Sequence, residues 1–477
     1  MKQSLSRSDL DSFFGRLKKT NQDFKERYPG LRLERQPVHT VYGGAHLYKP
    51  GIASRLGNMA LTHFHQYAPT FADLAKALDF PGAKDLPART AELDSFVKLL
   101  EKDPEEVSVT HPQAWLAWKI HTGVKRKLEL DAVEDQRVDF EDGYGARPDE
   151  EEDGHAVTAA EAMAKGIEAG DLPGTTGIRI KSFTDETKSR SLRTLDLFLT
   201  RLCEVSASKL PVNFVITLPK VTTAEQVAVL ADCLSLLEQK NGLDNGVIRI
   251  ELMIETVQTL FDENGSTLIP RLVKAGNGRV SAAILGTYDY TASANVASSW
   301  QDHKHSSADF ARQMMQAALV GTSVSISDGI TNIMPIAPHR GGENVLNQTA
   351  LLENIEAVHT AWKIHFDNIM HSLKLGFYQG WDLHPAQFIP RYAAVYYFFL
   401  TDLKKAGARL KSFVDQAAQA SRVGTVFDDA ASAQGLINFF ASGLGCGALS
   451  EQDVLETGIT LEELAGRSFQ KIVENRT

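Results

Sequence analysis

Cysteine is scarce in this chain, and so are long apolar runs and clusters of positive charge. The 477 residues include three cysteines, Cys203, Cys233 and Cys446, which are far apart and match no zinc-binding spacing. They also cannot build a disulfide framework. We therefore predict a reducing, cytoplasmic environment.

The apolar runs are too short for a membrane protein. The longest of them, around Tyr392 to Leu400, falls well below the roughly 20 residues that a transmembrane helix needs. The N-terminal segment carries scattered charges where a signal peptide would have an apolar centre. From these two absences we expect neither a membrane partner nor secretion.

The charge balance excludes another class of partner. The formal net charge is -10 at pH 7, and the sequence contains no Lys/Arg cluster. We do not expect a nucleic-acid partner, because a phosphate backbone requires a basic surface. A small acidic substrate would need a local cation.

What the chain does contain is a regular alternation of short β-rich runs with longer segments of helical period, which is typical of βαβ units. The predicted fold class is α/β, a (β/α)₈ TIM barrel with helical N-terminal insertions and a helical C-terminal extension. We assign residues 1–400 to the barrel, with a helical insertion at about 60–130, and 401–477 to the extension, which could act as a lid. The eight predicted strands lie at residues 39–48, 137–141, 177–183, 212–218, 248–255, 280–286, 323–327 and 378–384.

Ionisable residues end or follow most of these strands. In a (β/α)₈ barrel the C-terminal strand ends form the active-site face, so such residues are expected to meet at one rim. Any one of them could simply be a polar residue where a buried strand reaches solvent, but together they predict an active site. The set comprises Glu141, Asp142, Arg179, Lys181, Lys220, Glu255, Asp289, Asp328 and His384.

The carboxylates of this set would repel one another if they met at one rim. A cation is therefore expected between them, since it would lower that repulsion. Oxygen ligands without cysteine or paired histidine favour Mg²⁺, with Mn²⁺ as the alternative, over zinc.

Six segments, in the order DFEDGYG, GIRIKSF, LPKV, ELMIET, LGTYDY and GWDLHPAQ, carry a family resemblance. From about Arg137 to Gln387 the chain resembles the HpcH/HpaI aldolase and citrate lyase β-subunit superfamily, whose members use a (β/α)₈ barrel and a divalent metal. The resemblance implies that Glu255 and Asp289 bind the metal and that Arg179 binds a substrate oxygen.

The same resemblance gives roles to residues around the metal. Glu141 and Asp142 would order metal-bound waters. Lys220 would form ion pairs rather than a Schiff base, and Lys220, Gly286 and Thr287 are assigned to substrate binding.

The resemblance leaves the general base open. Family members take it from a metal-bound water, from a histidine near the rim, or from a carboxylate on a C-terminal lid of a neighbouring subunit. The segment TVFDDAASAQG offers Asp428 or Asp429 for such a lid, although its flanking residues depart from the family's pattern. His384 and His46 are the alternatives. A shared lid would require a homo-oligomer, which we expect.

The predicted function is a Mg²⁺-dependent carbon–carbon lyase or aldolase acting on a small oxo- or hydroxy-acid, or on its CoA thioester. A metal ion and a guanidinium would stabilise the enolate that cleavage leaves behind. A malate-synthase-like condensation of an acyl-CoA with a keto acid needs the same residues and stays open. Phosphoryl transfer lacks a P-loop in this sequence, and a non-catalytic barrel scaffold is the remaining alternative.

Overall fold

The centre of the protein is a sheet of eight parallel strands. The computed structural model describes residues 4–30, 34–87, 90–341, 346–415, 421–423, 426–428, 430–466 and 472. The strands are β1 (His39–Gly44), β2 (Asp135–Asp139), β3 (Thr175–Arg179), β4 (Phe214–Leu218), β5 (Arg249–Ile254), β6 (Val280–Leu285), β7 (Ser325–Ser327) and β8 (Gly380–Asp382).

The sheet closes on itself. Its strand order is β7-β6-β5-β4-β3-β2-β1-β8, with parallel pairing throughout. The two edges meet where Ile330, just after β7, pairs with Trp381 of β8. The amide of Asp328 also donates to the Gln379 carbonyl at 2.9 Å. The predicted (β/α)₈ barrel is confirmed.

The strands are shorter than predicted at the active-site end. β2 stops at Asp139, because the side chain of Asp139 accepts the amides of Glu141 at 2.9 Å and Gly143 at 2.7 Å and turns the chain. β1 stops at Gly44, where a Cβ atom would lie 2.5 Å from the Gly143 carbonyl oxygen. The predicted strand beyond Gly44 is wrong, since a 3₁₀ turn, Ala45–Leu47, follows directly.

Helices surround the barrel and extend it at both ends of the chain. A separate antiparallel hairpin is formed by β9 (Ser421–Val423) and β10 (Val426–Asp428). The helices are α1 (Arg7–Arg27), α2 (Ile52–Tyr67), α3 (Phe71–Ala77), α4 (Thr90–Lys102), α5 (Pro104–Thr110), α6 (Pro112–Leu130), α7 (Asp149–Ala169), α8 (Lys188–Ser206), α9 (Ala224–Lys240), α10 (Ile269–Ala275), α11 (Thr287–Ser293), α12 (Ser306–Leu319), α13 (Gln348–Lys374), α14 (Phe388–Asp415), α15 (Ala430–Gly445), α16 (Glu451–Leu455) and α17 (Leu461–Gly466).

Two apolar cores support this arrangement. One lies between the barrel and helices α7 to α12, and it includes Ile178, Ile216 and Leu252 on the outer faces of their strands. The other joins α2 to α6 with α13, α14 and α15, around residues such as Trp362 and Phe399. The division of the chain at residue 400 stays a prediction, and α14 runs through that position. In the described part of the chain, no helix has the length and apolar character needed to cross a membrane.

The inside of the barrel is polar. Tyr42 of β1 donates to Glu251 of β5 at 3.0 Å, a contact that must cross the interior because these strands are not neighbours. Glu251 also accepts from Thr217 at 2.7 Å and pairs with Arg137 at 3.3 Å. Each buried charge therefore has an opposite charge or a hydrogen-bond donor beside it, as buried charges require.

A second buried ion pair joins the outside of the barrel to its helices. Asp382 of β8 is fully buried and accepts from His39, His365 and Arg391, each at 2.7 to 2.9 Å. Burial alone would raise the pKa of Asp382, but Arg391 and the two histidines outweigh it and hold the pKa well below its ordinary value.

We predict that Asp382→Asn lowers the free energy of unfolding by about 3–5 kcal/mol, because it leaves Arg391 buried without its counter-charge. The loss follows from chemical denaturation at neutral pH. Since the folded pKa is lowered, the contribution is complete above the unfolded value of about 4 and fades as the pH falls further. The wild-type advantage should therefore narrow below pH 4. Asp185→Asn, at an exposed pair with Lys188, is the control and should leave the midpoint unchanged.

Candidate functional site

Acidic and basic side chains meet beyond the C-terminal ends of β2 to β6, the face where the sequence predicted an active site. We call this group the mouth cluster. Its members are Asp139, Glu141, Asp142, Arg179, Lys220, Glu255 and Asp289.

Arg179 is the last residue of β3 and lies at the centre of the mouth cluster. Its Nε donates to Asp139 Oδ1 at 2.7 Å, and its Nη2 donates to Asp139 Oδ2 at 2.5 Å. Its Nη1 lies 3.2 Å from Glu141 Oε2. The side chain is 1% exposed, and two of its three nitrogens are bound to one carboxylate. Nη1 is thus the nitrogen directed at the acidic residues of the mouth.

Two aromatic rings hold the same guanidinium. The Arg179 Cζ lies 4.9 Å from the ring centre of Tyr42 and 5.2 Å from that of Trp381. Nη1 also lies 3.8 Å from the sulfur of Met253. These contacts from β1, β5 and β8 fix the direction of a side chain that starts on β3, and the cation–π contacts add to the ion pair.

Asp139 is a residue of the site that the sequence analysis missed. It is fully buried, it forms the bidentate pair with Arg179, and it accepts two amides of the loop that carries Glu141. Its signal was present, because it opens the DFED segment and alternates with Arg137 on β2. Asp139, Tyr42 and Trp381 were all missed because the alternation of side chains along a strand was not used to assign residues to the barrel interior.

Lys220 connects the strand ends of β4, β2 and β5. Its ammonium pairs with Glu141 and lies 3.2 Å from Asp142 Oδ1, while its backbone amide donates to Glu255 Oε1 at 2.5 Å. The residue has φ of +52°, a left-handed conformation that costs a non-glycine residue about 1 kcal/mol or more. This turn is what allows amide and side chain to reach different carboxylates.

The ion pairing of Lys220 agrees with the role expected from the sequence. Burial alone would lower its pKa, but the hydrogen bond and charge of Glu141, together with Glu255 and Asp142, raise the pKa above its ordinary value. A lysine that stays protonated is a poor Schiff-base nucleophile. Its predicted contact with substrate stays a prediction.

Glu255 directly follows β5 and is 1% exposed. Burial and then the charge of Asp289 raise its pKa to about 8, against the opposing charge of Lys220. Within the described residues, no lysine, arginine or histidine lies within ion-pair distance of its oxygens. A buried carboxyl of this kind is protonated at neutral pH unless a cation joins it.

The end of β6 shapes the space around Glu255. A Cβ atom on Gly286 would lie 2.5 Å from Glu255 Cβ and 2.6 Å from Glu255 Oε2, so only glycine fits there. Thr287 is 1% exposed, and its hydroxyl has no hydrogen-bond partner in the described structure. Gly286 therefore acts on Glu255 by close packing, and the substrate contacts predicted for Gly286 and Thr287 stay predictions.

Asp289, in the first turn of α11, completes the acidic side of the mouth cluster. Its side chain keeps contact with solvent, yet partial desolvation raises its pKa. Five carboxyl groups thus face two cationic side chains, Arg179 and Lys220.

The donor set fits a hard divalent cation. Mg²⁺ is commonly bound through one or two carboxylates and keeps several waters. Glu255 and Asp289 supply two such carboxylates, and the raised pKa of each shows that positive charge would stabilise its ionised form. Among the described residues, no group of three or more His, Cys, Asp or Glu side chains is arranged to hold a metal. The remaining ligands would have to be water or substrate oxygens.

Two residues assigned to the rim from sequence lie in other surroundings. Asp328 is fully buried and pairs with Arg312 at 2.9 Å, with His303 and Ser372 beside it. Lys181 pairs with Glu152 at 2.9 Å. Both side chains support the packing of helices on the barrel.

The predicted bases do not join the mouth cluster. His384 Nδ1 accepts the amide of Ala386 at 3.1 Å, so the neutral ring carries its proton on Nε2 and can donate from it. Its ring faces His63, and burial lowers its pKa. His46 lies over Tyr144 and His155 beside the loop that follows β2.

The predicted lid falls partly outside the described structure. Asp428 ends β10, in the separate hairpin, and its side chain lies outside the described residues, as does all of Asp429. The lid stays a prediction.

The fold and the mouth cluster together define a (β/α)₈ barrel with an acidic mouth. A family model described as Domain of unknown function (DUF6986) matches residues 17–472, and the chain belongs to this family. A comparison with curated proteins gives no match.

Similar solved structures include a citrate lyase from Burkholderia xenovorans LB400, with 18% sequence identity, a TM-score of 0.51, and coverage of 71% of this chain and 92% of that chain. Another is the malate synthase of Haloferax volcanii in a magnesium/glyoxylate complex, with 16% identity, a TM-score of 0.39, and coverage of 71% and 86%. The first likeness shows a shared barrel fold. The superfamily predicted from the motifs stays a prediction.

Glu251 in β5 and Glu255 directly after it allow a test of how a counter-charge affects the stability of a buried glutamate. Glu251 and Glu255 are equally buried, but Glu251 has Arg137 as its counter-charge. In the presence of a chelator, Glu255→Gln should raise the free energy of unfolding by about 3 kcal/mol at pH 7, because a raised carboxyl pKa costs stability above the unfolded value. Glu251→Gln should lower it, since Arg137 loses its partner.

The gain from Glu255→Gln should be absent near pH 4 and grow between pH 4.5 and about 8, the interval between the ordinary pKa and the folded one. Denaturant midpoints at several pH values measure it. A Glu255→Gln protein that is less stable than wild type at pH 7 would show that Glu255 is already neutralised by the chain itself.

Proposed function

We propose that this protein is a Mg²⁺-dependent carbon–carbon lyase of the aldolase type, acting on a small oxo- or hydroxy-acid or its CoA thioester. Mn²⁺ should substitute for Mg²⁺. The observation that carries the proposal is the juxtaposition of two carboxyls with raised pKa, Glu255 and Asp289, with the fixed guanidinium of Arg179.

Glu255 and Asp289 would hold the cation. When bound, Mg²⁺ would supply Lewis-acid stabilisation to the oxygen on which negative charge develops. Lys220 would keep Glu255 in place through its backbone amide, and Gly286 would leave the room that this carboxylate needs.

Arg179 would bind the carboxylate of the substrate through Nη1. In the structure this nitrogen faces Glu141 Oε2, while Glu141 Oε1 is held by Lys220. A substrate carboxylate could replace Oε2 at Nη1 while Glu141 remains tied to Lys220. Asp139 and the two aromatic rings would hold the guanidinium in one orientation. Substrate binding would therefore cost little conformational entropy of the Arg179 side chain.

Glu141 is the group that we place as the proton acceptor. Burial raises its pKa, with Arg179 opposing and Asp142 adding to the rise. In the cleavage direction, Glu141 Oε2 would take the proton of the substrate hydroxyl, and the carbon–carbon bond would break to give a carbonyl product. The bonding electrons would remain on the other fragment as an enolate, which later takes up a proton.

The cation site is tested by direct binding. In isothermal titration of the purified full chain with MgCl₂, we expect one site, with affinity reduced at least about tenfold by Glu255→Gln or Asp289→Asn, in keeping with the loss of one of two charged ligands. Asp185→Asn, an exposed aspartate on the loop before α8, is the matched control and should bind as wild type does. Equal binding by all four proteins would overturn the assignment.

The role of Arg179 is tested by activity. Candidate substrates are β-hydroxy and β-oxo acids and their CoA thioesters, followed by the release of the carbonyl product. Arg179→Lys should reduce kcat/KM by about 100-fold or more, because lysine cannot keep both the Asp139 fork and a substrate contact. Arg193→Lys, at an exposed pair with Asp153, should leave it unchanged.

The direction of reaction is decided in the same assay. Condensation of acetyl-CoA with glyoxylate, with no cleavage of any acid in the series, would replace the lyase by a synthase. Binding without turnover of any substrate would leave a non-catalytic barrel.

A further inference from the structure

The N-terminal helix α1 stands apart from both apolar cores. It has 21 residues, and none of them is buried. The N-terminus of the helix is stabilised by a capping box that Ser6 and Asp9 form. It nevertheless exposes large apolar side chains: Phe14 is 58% exposed, Leu17 55% and Phe24 62%. Isolated helices of this length are marginal in water, so this apolar stripe needs a cover.

The spacing of the stripe indicates what covers it. Beginning at Leu10, the intervals alternate between four and three residues through Phe14, Leu17, Asn21, Phe24 and Tyr28. Within the helix, Leu10 to Phe24 form two heptads of the 3.5-residue repeat of a coiled-coil seam, and Tyr28 follows as the C-cap. All of the phenylalanines and leucines of α1 lie in or beside the seam, with Phe13 as its one flanking member.

We propose that α1 pairs with α1 of a second copy of this chain in a parallel two-stranded coiled coil. Asn21, the single polar residue of the helical seam, favours a parallel over an antiparallel pair. In a parallel pair in register, Asn21 faces Asn21 and the two amides can bond to each other. In an antiparallel pair the same heptads would set Asn21 against Leu17, which would bury an amide without a partner. A lone asparagine at such a position fixes both register and strand number.

The position of α1 leaves the mouth cluster accessible in such a dimer. The chain that follows the helix joins the barrel at Gly30, whose amide donates to the Gly321 carbonyl at 3.0 Å. Gly321 precedes β7, at the N-terminal end of the strands, whereas the mouth cluster lies at their C-terminal ends. The coiled coil would therefore join two barrels at the face opposite their mouths, through the same surface on both copies.

The polar side of α1 argues against a lipid surface as the cover. The six lysine and arginine residues of α1 are interspersed with four acidic residues, Asp9, Asp11, Asp23 and Glu26, and the whole chain is acidic. Interfacial helices instead have a polar face rich in Lys and Arg.

The experiment measures the mass of the full chain by sedimentation velocity at several concentrations. Wild type should be a dimer or a multiple of one, and Leu17→Lys should halve that mass. Ser12→Lys, on the opposite side of α1, is the control and should sediment as wild type does. Because no residue of α1 is buried, both variants should keep the wild-type thermal unfolding of the barrel.

Two further variants test the strand number and direction. Asn21→Leu should give a larger assembly, because removal of the polar residue releases the restriction to two strands. Asn21→Cys should form a disulfide-linked dimer on mild oxidation, whereas Ser12→Cys should not. A wild-type monomer, a mass unaffected by Leu17→Lys, or binding of wild type to anionic phosphatidylserine vesicles that Leu17→Lys abolishes would each overturn the proposal. These outcomes are independent of Mg²⁺ binding and of turnover.

Discussion

The arrangement at the mouth of this barrel depends on one buried carboxyl group that has no counter-charge among the described residues. Glu255 is held in a position from which water is excluded, by close contact with Gly286 and by the Lys220 amide, while Asp289 adds a second negative charge. Four residues earlier, within β5, Glu251 is buried to the same extent but is neutralised by Arg137. A buried glutamate of this barrel can thus be paired with an arginine, but Glu255 has no such partner among the described residues. Sites that bind charged ligands are often kept at a cost in stability in this way.

The two cationic side chains of the mouth cluster are already paired with other carboxylates. Arg179 gives two nitrogens to Asp139, and Lys220 is shared by Glu141 and Asp142. Neither can approach Glu255 without leaving a carboxylate that it now stabilises. The result is a fixed guanidinium beside a site short of positive charge, and the proposed enolate-forming reaction rests on this combination.

Much of the barrel could be predicted from the sequence, because each buried strand is a short β-rich run followed by a long helical segment. The strand ends were less predictable. Asp139 and Gly44 end their strands through contacts with Gly143 in the loop after β2, and hydrophobic periodicity does not reveal such contacts. The structure brings Arg179, Lys220, Glu255 and Asp289 to one mouth, because parallel strands bring their C-terminal ends to one rim. It does not bring Asp328 and Lys181 there, because side chains at a rim point inwards or outwards according to register, and register is not visible in a single sequence. Tyr42 and Trp381 became apparent as partners of Arg179 only in the structure, because they come from strands that are not neighbours of β3.

The most direct test of the account is crystallographic. Crystals grown with MnCl₂ and examined at an energy that gives manganese an anomalous signal should show one strong peak between the carboxylates of Glu255 and Asp289. Both side chains should contact the ion, and Arg179 should remain paired with Asp139. A map with no peak at this position, or with the Lys220 ammonium between the two carboxylates, would contradict it.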